Sequence, residues 1–138
     1  MPDIMSPGAY LAKRRRAAGL SIDDVAAMIG SDPDLKEADR RTWLAQIEAD
    51  ITPIGRDIVT TLRHTFPFSI AILTWLAAIH MLCFEEHPFL CAQCGCSQYD
   101  PCVGADGETC AWAPVPSGAP ATHTPLCTFC QMETSHAA

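Results

Sequence analysis

The feature that most constrains this chain is a run of thiols between Cys91 and Cys130. Seven of its eight cysteines fall there: Cys91, Cys94, Cys96, Cys102, Cys110, Cys127 and Cys130. The run opens with Cys91-Ala-Gln-Cys94 and closes with Cys127-Thr-Phe-Cys130. Two CxxC hooks separated by an insert have the spacing of a four-thiolate metal site, because a tight turn brings two cysteines three apart onto one ion. Gly95 suits that turn, since glycine takes positive φ without steric cost. The segment has too little apolar content to order itself, so metal ligation has to supply its folding free energy. Zinc is the expected metal, as one or two ions. Seven thiols exceed one tetrahedral site. The simplest distribution puts one zinc on Cys91, Cys94, Cys127 and Cys130. Cys96, Cys102 and Cys110 then form a second site, with His123 or His87 as its fourth ligand. An iron–sulfur cluster needs the same thiolates and is the alternative cofactor. Scattered free cysteines and a disulfide framework are the competing readings.

Charge divides the chain. All nine Lys and Arg lie at or before Arg63, where ten acidic residues nearly balance them. The remainder holds six acids and no Lys or Arg, which accounts for most of the net charge of -7. The cysteine region therefore has no electrostatic grip on nucleic acid. Met1–Ala9 is short and mixed, and a basic run follows it rather than an apolar one, so no secretory signal is read there. A cytoplasmic, reducing location is expected, in which clustered cysteines serve as metal ligands. Phe66–Cys83 approaches the length of a membrane span, but Pro67, Ser69, Thr74 and His80 interrupt it. It is expected to be a buried helix, with no membrane contact.

Local signals predict five helices before the cysteines. Met1–Gly8 is expected to be a loose arm, followed by a first helix over about Ala9–Ala18 that Gly19 stops. Ser21 and Asp24 have the spacing of a capping box. After them Ile22, Val25, Ala26 and Ile29 define one buried face up to Gly30. Asp32-Pro33 can cap a short turn. A third helix is expected over about Arg40–Ala49, with Leu44 and Ile47 inward. Thr52-Pro53 is a cap-plus-first-residue signal for a fourth helix carrying Ile58, Val59 and Leu62. Phe66-Pro67-Phe68 turns the chain into a fifth, capped by Ser69 and reaching about Leu82. The insert Ala111–Thr124 is expected to be an irregular loop, and Met132–Ala138 a loose tail.

Leu11-Ala-Lys-Arg-Arg-Arg-Ala-Ala-Gly-Leu-Ser-Ile-Asp-Asp-Val-Ala resembles the first two helices of the Cro/repressor-type helix-turn-helix family. Arg41-Thr-Trp-Leu-Ala-Gln-Ile-Glu-Ala-Asp resembles its third helix, and Thr52-Pro to Leu73 its fourth and fifth. The resemblance implies a DNA-binding domain over residues 9–83. Arg40, Arg41, Thr42, Ala45 and Gln46 would stand at its base-reading positions, and Lys13 and Arg14 would be placed to meet phosphates. The chain departs from the family at Ser31–Ala38, an insertion of roughly eight residues where the family has a tight turn. The competing reading is a plain helical scaffold, in which Arg40 and Arg41 pair with nearby acids and Lys13–Arg16 is a solvated face.

Cys91-x-x-Cys-x-Cys, Cys102, Cys110-Ala-Trp112 and Leu126-Cys127-x-x-Cys130 resemble a small cysteine-rich module of phage and prophage proteins, covering residues 88–131. The expected fold is thus mainly α, a five-helix helix-turn-helix domain followed by a small irregular or β zinc-ribbon-like module. Trp112 is expected to cap the site. Excess thiolates leave no open coordination position, and no catalytic motif is present, so an enzyme is not expected. The expected function is a DNA-binding transcriptional regulator of phage or prophage type. DNA would bind through the N-terminal domain, a protein partner is open to the cysteine module, and a homodimer is an open oligomeric state. The alternative is a non-catalytic accessory protein that binds another protein and uses its helices as a scaffold.

Overall fold

In the computed structural model, which describes residues 5–29, 36–82, 88–114 and 125–136, the chain enters its first helix through a cap. Ser6 is extended, its side chain accepts from the Ala9 N–H, and Pro7 occupies the first helical turn. Proline is favoured there because its missing N–H has no helical partner to lose. Helix α1 (Pro7–Ala17) therefore begins inside the expected loose arm. It ends as expected at Gly19, where φ is 76°. Gly19 N–H donates to the Arg16 carbonyl and Leu20 N–H to that of Arg15, the paired bonds of a Schellman ending. Ser21 and Asp24 cap each other's backbone and open α2 (Ile22–Met28). The Asp32-Pro33 turn lies outside the described residues.

Helix α3 (Glu37–Glu48) starts three residues before the expected Arg40, at an N-cap, Lys36, that makes no side-chain cap bond. Glu37 and Ala38, read as part of the insertion, are thus its first turn. Helix α4 (Arg56–Arg63) is entered at Gly55, not at Thr52-Pro53. The reason is the end of α3. Asp50 turns left-handed at φ 60°, and the N–H groups of Ile51 and Thr52 both donate back to the Gln46 carbonyl. That holds Thr52 to α3 rather than freeing it to cap α4. Helix α5 (Ile70–Leu82) starts at Ser69, whose hydroxyl accepts from the Ile72 N–H as expected. At 13 residues it is a core helix. Among the described residues no helix is long and apolar enough to cross a membrane.

Helices α1–α5 share one core. Leu11, Val25, Leu44, Ile47, Leu62, Ile72 and Leu76 are all buried in it, with α2 packed on α3 and α1 on both α3 and α5. Gly8 shows how closely α1 meets the end of α3. A Cβ there would lie 2.5 Å from the Ile47 carbonyl oxygen and 2.6 Å from that of Glu48, so only a hydrogen fits. Its N–H donates to Asp50 Oδ1 at 2.8 Å.

Tyr10 ties α1 to α5. It is fully buried, and its hydroxyl accepts from the Ser69 N–H at 2.9 Å. Burial pushes its pKa from 10.0 up to about 12. Between those values the folded protein keeps a proton that the unfolded chain releases. Stability present below pH 10 is therefore lost as pH rises toward 12, by up to about 2 kcal/mol. Urea titrations from pH 9 to 12 are expected to show this decline in the wild type and a shallower one in Tyr10→Phe. Parallel slopes would mean that Tyr10 does not carry it.

The cysteine module has little regular structure. The expected ribbon is reduced to isolated antiparallel bridges, Ser97 with Asp100, Val103 with Thr109 and Trp112 with Cys127. It ends in helix α6 (Thr128–His136), which replaces the expected loose tail as far as His136. Among the described residues the chain is mainly helical, with these six helices and no longer strand.

Candidate metal centre

Each hook is shaped by a local backbone device. Gly95 has φ 78°, and its N–H donates to the Cys91 carbonyl at 2.9 Å while Cys91 N–H donates to that of Cys96 at 3.0 Å. These bonds curl residues 91–96 so that three sulfurs face one side. The second hook is the entry to α6, with Cys127 just before the helix and Cys130 on its first turn. Ala92 N–H donates to the Pro125 carbonyl at 2.8 Å, and Cys127 N–H points at the Cys91 sulfur at 3.4 Å. The hooks thereby face each other.

The sulfurs of Cys91, Cys94, Cys127 and Cys130 all lie within 4.8 Å of one another, and all four residues are buried. These are the thiols expected to share one ion. A second group joins Cys96 and Cys102 to Cys94 and Cys127. It differs from the expected trio of Cys96, Cys102 and Cys110, because Cys110 lies outside both groups, 3.8 Å from the Cys96 sulfur. His123 and His87 lie outside the described residues, as does Cys83.

Metal–sulfur distances of about 2.3 Å imply tetrahedron edges of about 3.8 Å. The Cys94–Cys102 and Cys94–Cys127 sulfur separations are 3.6 and 3.9 Å, so the donor set fits a thiolate-bound ion. The protons agree with this. Cys91 beside it pushes the Cys94 thiol up to about 12, and burial raises that of Cys130. Crowded thiols cannot all ionise without a cation, and a bound dication reverses that. These buried cysteine groups can hold a metal ion.

The basic run of α1 is committed to this module. Lys13 Nζ donates to the Ala92 carbonyl. Arg14 is 4% exposed. Its guanidinium donates to the carbonyls of Pro67 at 3.3 Å and Cys94 at 3.4 Å, and lies 3.5 Å from Asp100 Oδ2. That oxygen accepts no hydrogen bond among the described residues, so the Arg14 contact is purely ionic. A Cβ on Gly95 would touch Arg14 and Tyr10 at 3.4 Å, which places α1 directly on the hook. The side chains expected at phosphates thus face the module, Lys13 toward the Ala92 carbonyl and Arg14 toward the Cys94 carbonyl and Asp100. Periodicity held the signal: Arg14 and Arg15 follow Tyr10 and Leu11 by one helical turn and share their buried face.

The positions expected to read bases lie elsewhere. Arg41, Thr42, Ala45 and Gln46 are exposed on α3, and Arg40 is half-buried. Arg40 donates to the Ala26 carbonyl at 2.8 Å, and Arg41 pairs with Asp23. Thr42 donates to the Ala38 carbonyl, and Gln46 Oε1 accepts from the Thr52 hydroxyl at 3.2 Å. Sequence reasoning missed an aromatic cleft between α5 and the module, lined by Ile72, Trp75, Phe89, Tyr99 and Trp112. There the rings of Phe89 and Trp112 meet edge-on at 4.4 Å. Trp112, expected as a cap, joins Cys127 through its backbone and turns its ring to Phe89. No protein-family model, curated protein or solved structure matches this chain.

Proposed function

We propose that this protein is a non-catalytic, DNA-binding regulator of the phage or prophage type, stapled by a zinc–thiolate module. The observation that carries the reading is the exposed row Arg41, Thr42, Ala45 and Gln46 on one face of α3. Arg and Gln at the front of such a helix make bidentate contacts to guanine and adenine edges. The pair of Arg41 with Asp23 is exposed, at 53% and 65%. Such pairs contribute little, so Arg41 can exchange Asp23 for a base. Zinc is the metal of the reading because its preferred site is four thiolates in a tetrahedron, and a filled shell leaves no catalytic position.

Selection from a random duplex library at low salt, with metal-loaded protein, is expected to enrich one sequence. Arg41→Ala is expected to weaken binding to it by about 1–3 kcal/mol. Because Lys13 is held against the Ala92 carbonyl, Lys13→Ala is expected to lower stability and leave the salt slope of binding unchanged. A folded, metal-loaded protein that enriches no sequence would refute the DNA reading. The second reading, contact with another protein, is favoured by the aromatic cleft of Trp75, Phe89, Tyr99 and Trp112, since exposed aromatic clusters are typical of binding surfaces.

A further inference from the structure

We propose that the module holds two metal ions joined by shared thiolates, with Cys94 and Cys127 bridging them. The inference rests on the metal-centre reading and is independent of DNA binding. Two closed tetrahedral sites with separate ligands need eight donor atoms. The two four-sulfur groups here contain six cysteines, because Cys94 and Cys127 belong to both. Among the described residues, both groups are complete when these two sulfurs are shared. Cys91 and Cys130 then finish one ion's shell, and Cys96 and Cys102 the other's.

The distances support the bridge. The Cys94 sulfur lies 3.6 Å from Cys102, a member of the second group alone. It lies 3.9 Å from Cys127, the other shared member. Both match the edge of about 3.8 Å expected around one ion. Cys94 and Cys127 are buried together with Cys91, Cys96 and Cys130, and Cys102 is half-buried. Cys110 belongs to neither group; its sulfur accepts from the Cys102 N–H at 3.3 Å.

Charge agrees as well. As two dications enter, about six thiol protons leave to solvent, and the cluster keeps a net charge of about −2. The buried Arg14 guanidinium at the Cys94 carbonyl and the Lys13 ammonium at that of Ala92 face this anionic cluster. No Lys or Arg follows Arg63 in the chain, so the module carries no Lys or Arg of its own, and α1 sets two cations against it.

The test uses the full chain reconstituted with spin-active cadmium, with ions counted by elemental analysis and native mass spectrometry. Two ions per chain are expected, with two cadmium resonances in the thiolate region, each split by the other through the shared sulfurs. Cys110→Ala is expected to keep both ions and the splitting. One ion per chain, two unsplit resonances, or loss of an ion in Cys110→Ala would each overturn the bridged assignment while leaving a metal centre standing. So would iron with acid-labile sulfide in the protein as isolated. A folded chain that takes up no metal at all would overturn the metal-centre reading with it. Should Cys110→Ala fail to fold, the wild-type count and splitting decide alone.

Discussion

Chelating the metal from the loaded protein at neutral pH is expected to unfold residues 88–114 and 125–136 together, and to lower the melting temperature of the helical part without removing its helicity. The size of the effect follows from what orders the module. Its buried cluster consists of cysteines, with Leu126 and Phe129 only partly covered against it, and among the described residues its strand pairing is limited to isolated bridges. Binding of a structural zinc ion supplies on the order of 10–16 kcal/mol at neutral pH, well above anything these bridges contribute. Helices α1–α5 keep their own core, so their far-ultraviolet signal survives. They still lose the Cys94 carbonyl and Asp100 as fixed partners of buried Arg14. Leaving that guanidinium poorly satisfied costs about 1–3 kcal/mol, and each kcal/mol is about 4–8 °C in a domain of this size. Cys91→Ser and Cys127→Ser are expected to reproduce both effects. Equal hydrogen-exchange protection of residues 88–114 with and without chelator would show that metal does not order the module.

Breaking the ion pair between Arg15 and Glu48 is expected to be the most damaging single change in the helical part. Arg15 Nε and Nη2 donate to the two Glu48 oxygens at 2.7 and 2.8 Å, and Nη1 donates to the Leu20 carbonyl at 2.9 Å. The side chains are 9% and 15% exposed. This bidentate pair locks the end of α1 to the end of α3. Arg15→Ala leaves the Glu48 carboxylate without its cation in a largely dry site, which costs about 3–5 kcal/mol. Combining Arg15→Met with Glu48→Leu is expected to recover most of that loss, because the desolvated charge disappears with its partner. Arg16→Ala, one position along and exposed, is expected to change stability by less than about 0.5 kcal/mol. Urea denaturation of the four proteins measures all of this. An Arg15→Ala loss no larger than that of Arg16→Ala would remove the pair from the account of how α1 is held.

Much of the fold was legible in the residues because its signals act within one helical turn. The Ser21–Asp24 box, the Gly19 ending and the Ser69 cap are hydrogen bonds between groups at most five residues apart. Residue spacing alone specifies such bonds. The hooks at Cys91–Cys94 and Cys127–Cys130 are legible for the same reason, since a tight turn aims two sulfurs at one point. Ser6-Pro7 carried an equally local signal for the start of α1. The α4 boundary was not local: Thr52 bonds Gln46 across the turn that closes α3, and that competes with its use as a cap.

The sequence by itself determined that the first part is helical, that Leu44 and Ile47 point inward, and that the second part gathers cysteines able to hold a metal. Only the tertiary structure decided how charge and ligands are shared between distant segments. Lys13 and Arg14 look like any surface basic run until α1 lies on the Cys91–Cys96 turn, about 80 residues away. Cys94 and Cys127 become common to two sulfur groups only when residues 33 apart are brought within 3.9 Å. The physical reason is the range of the forces. Capping and helical periodicity are set by neighbours along the chain, whereas the partner of a cation or a thiolate is whatever packing brings within a few ångströms of it.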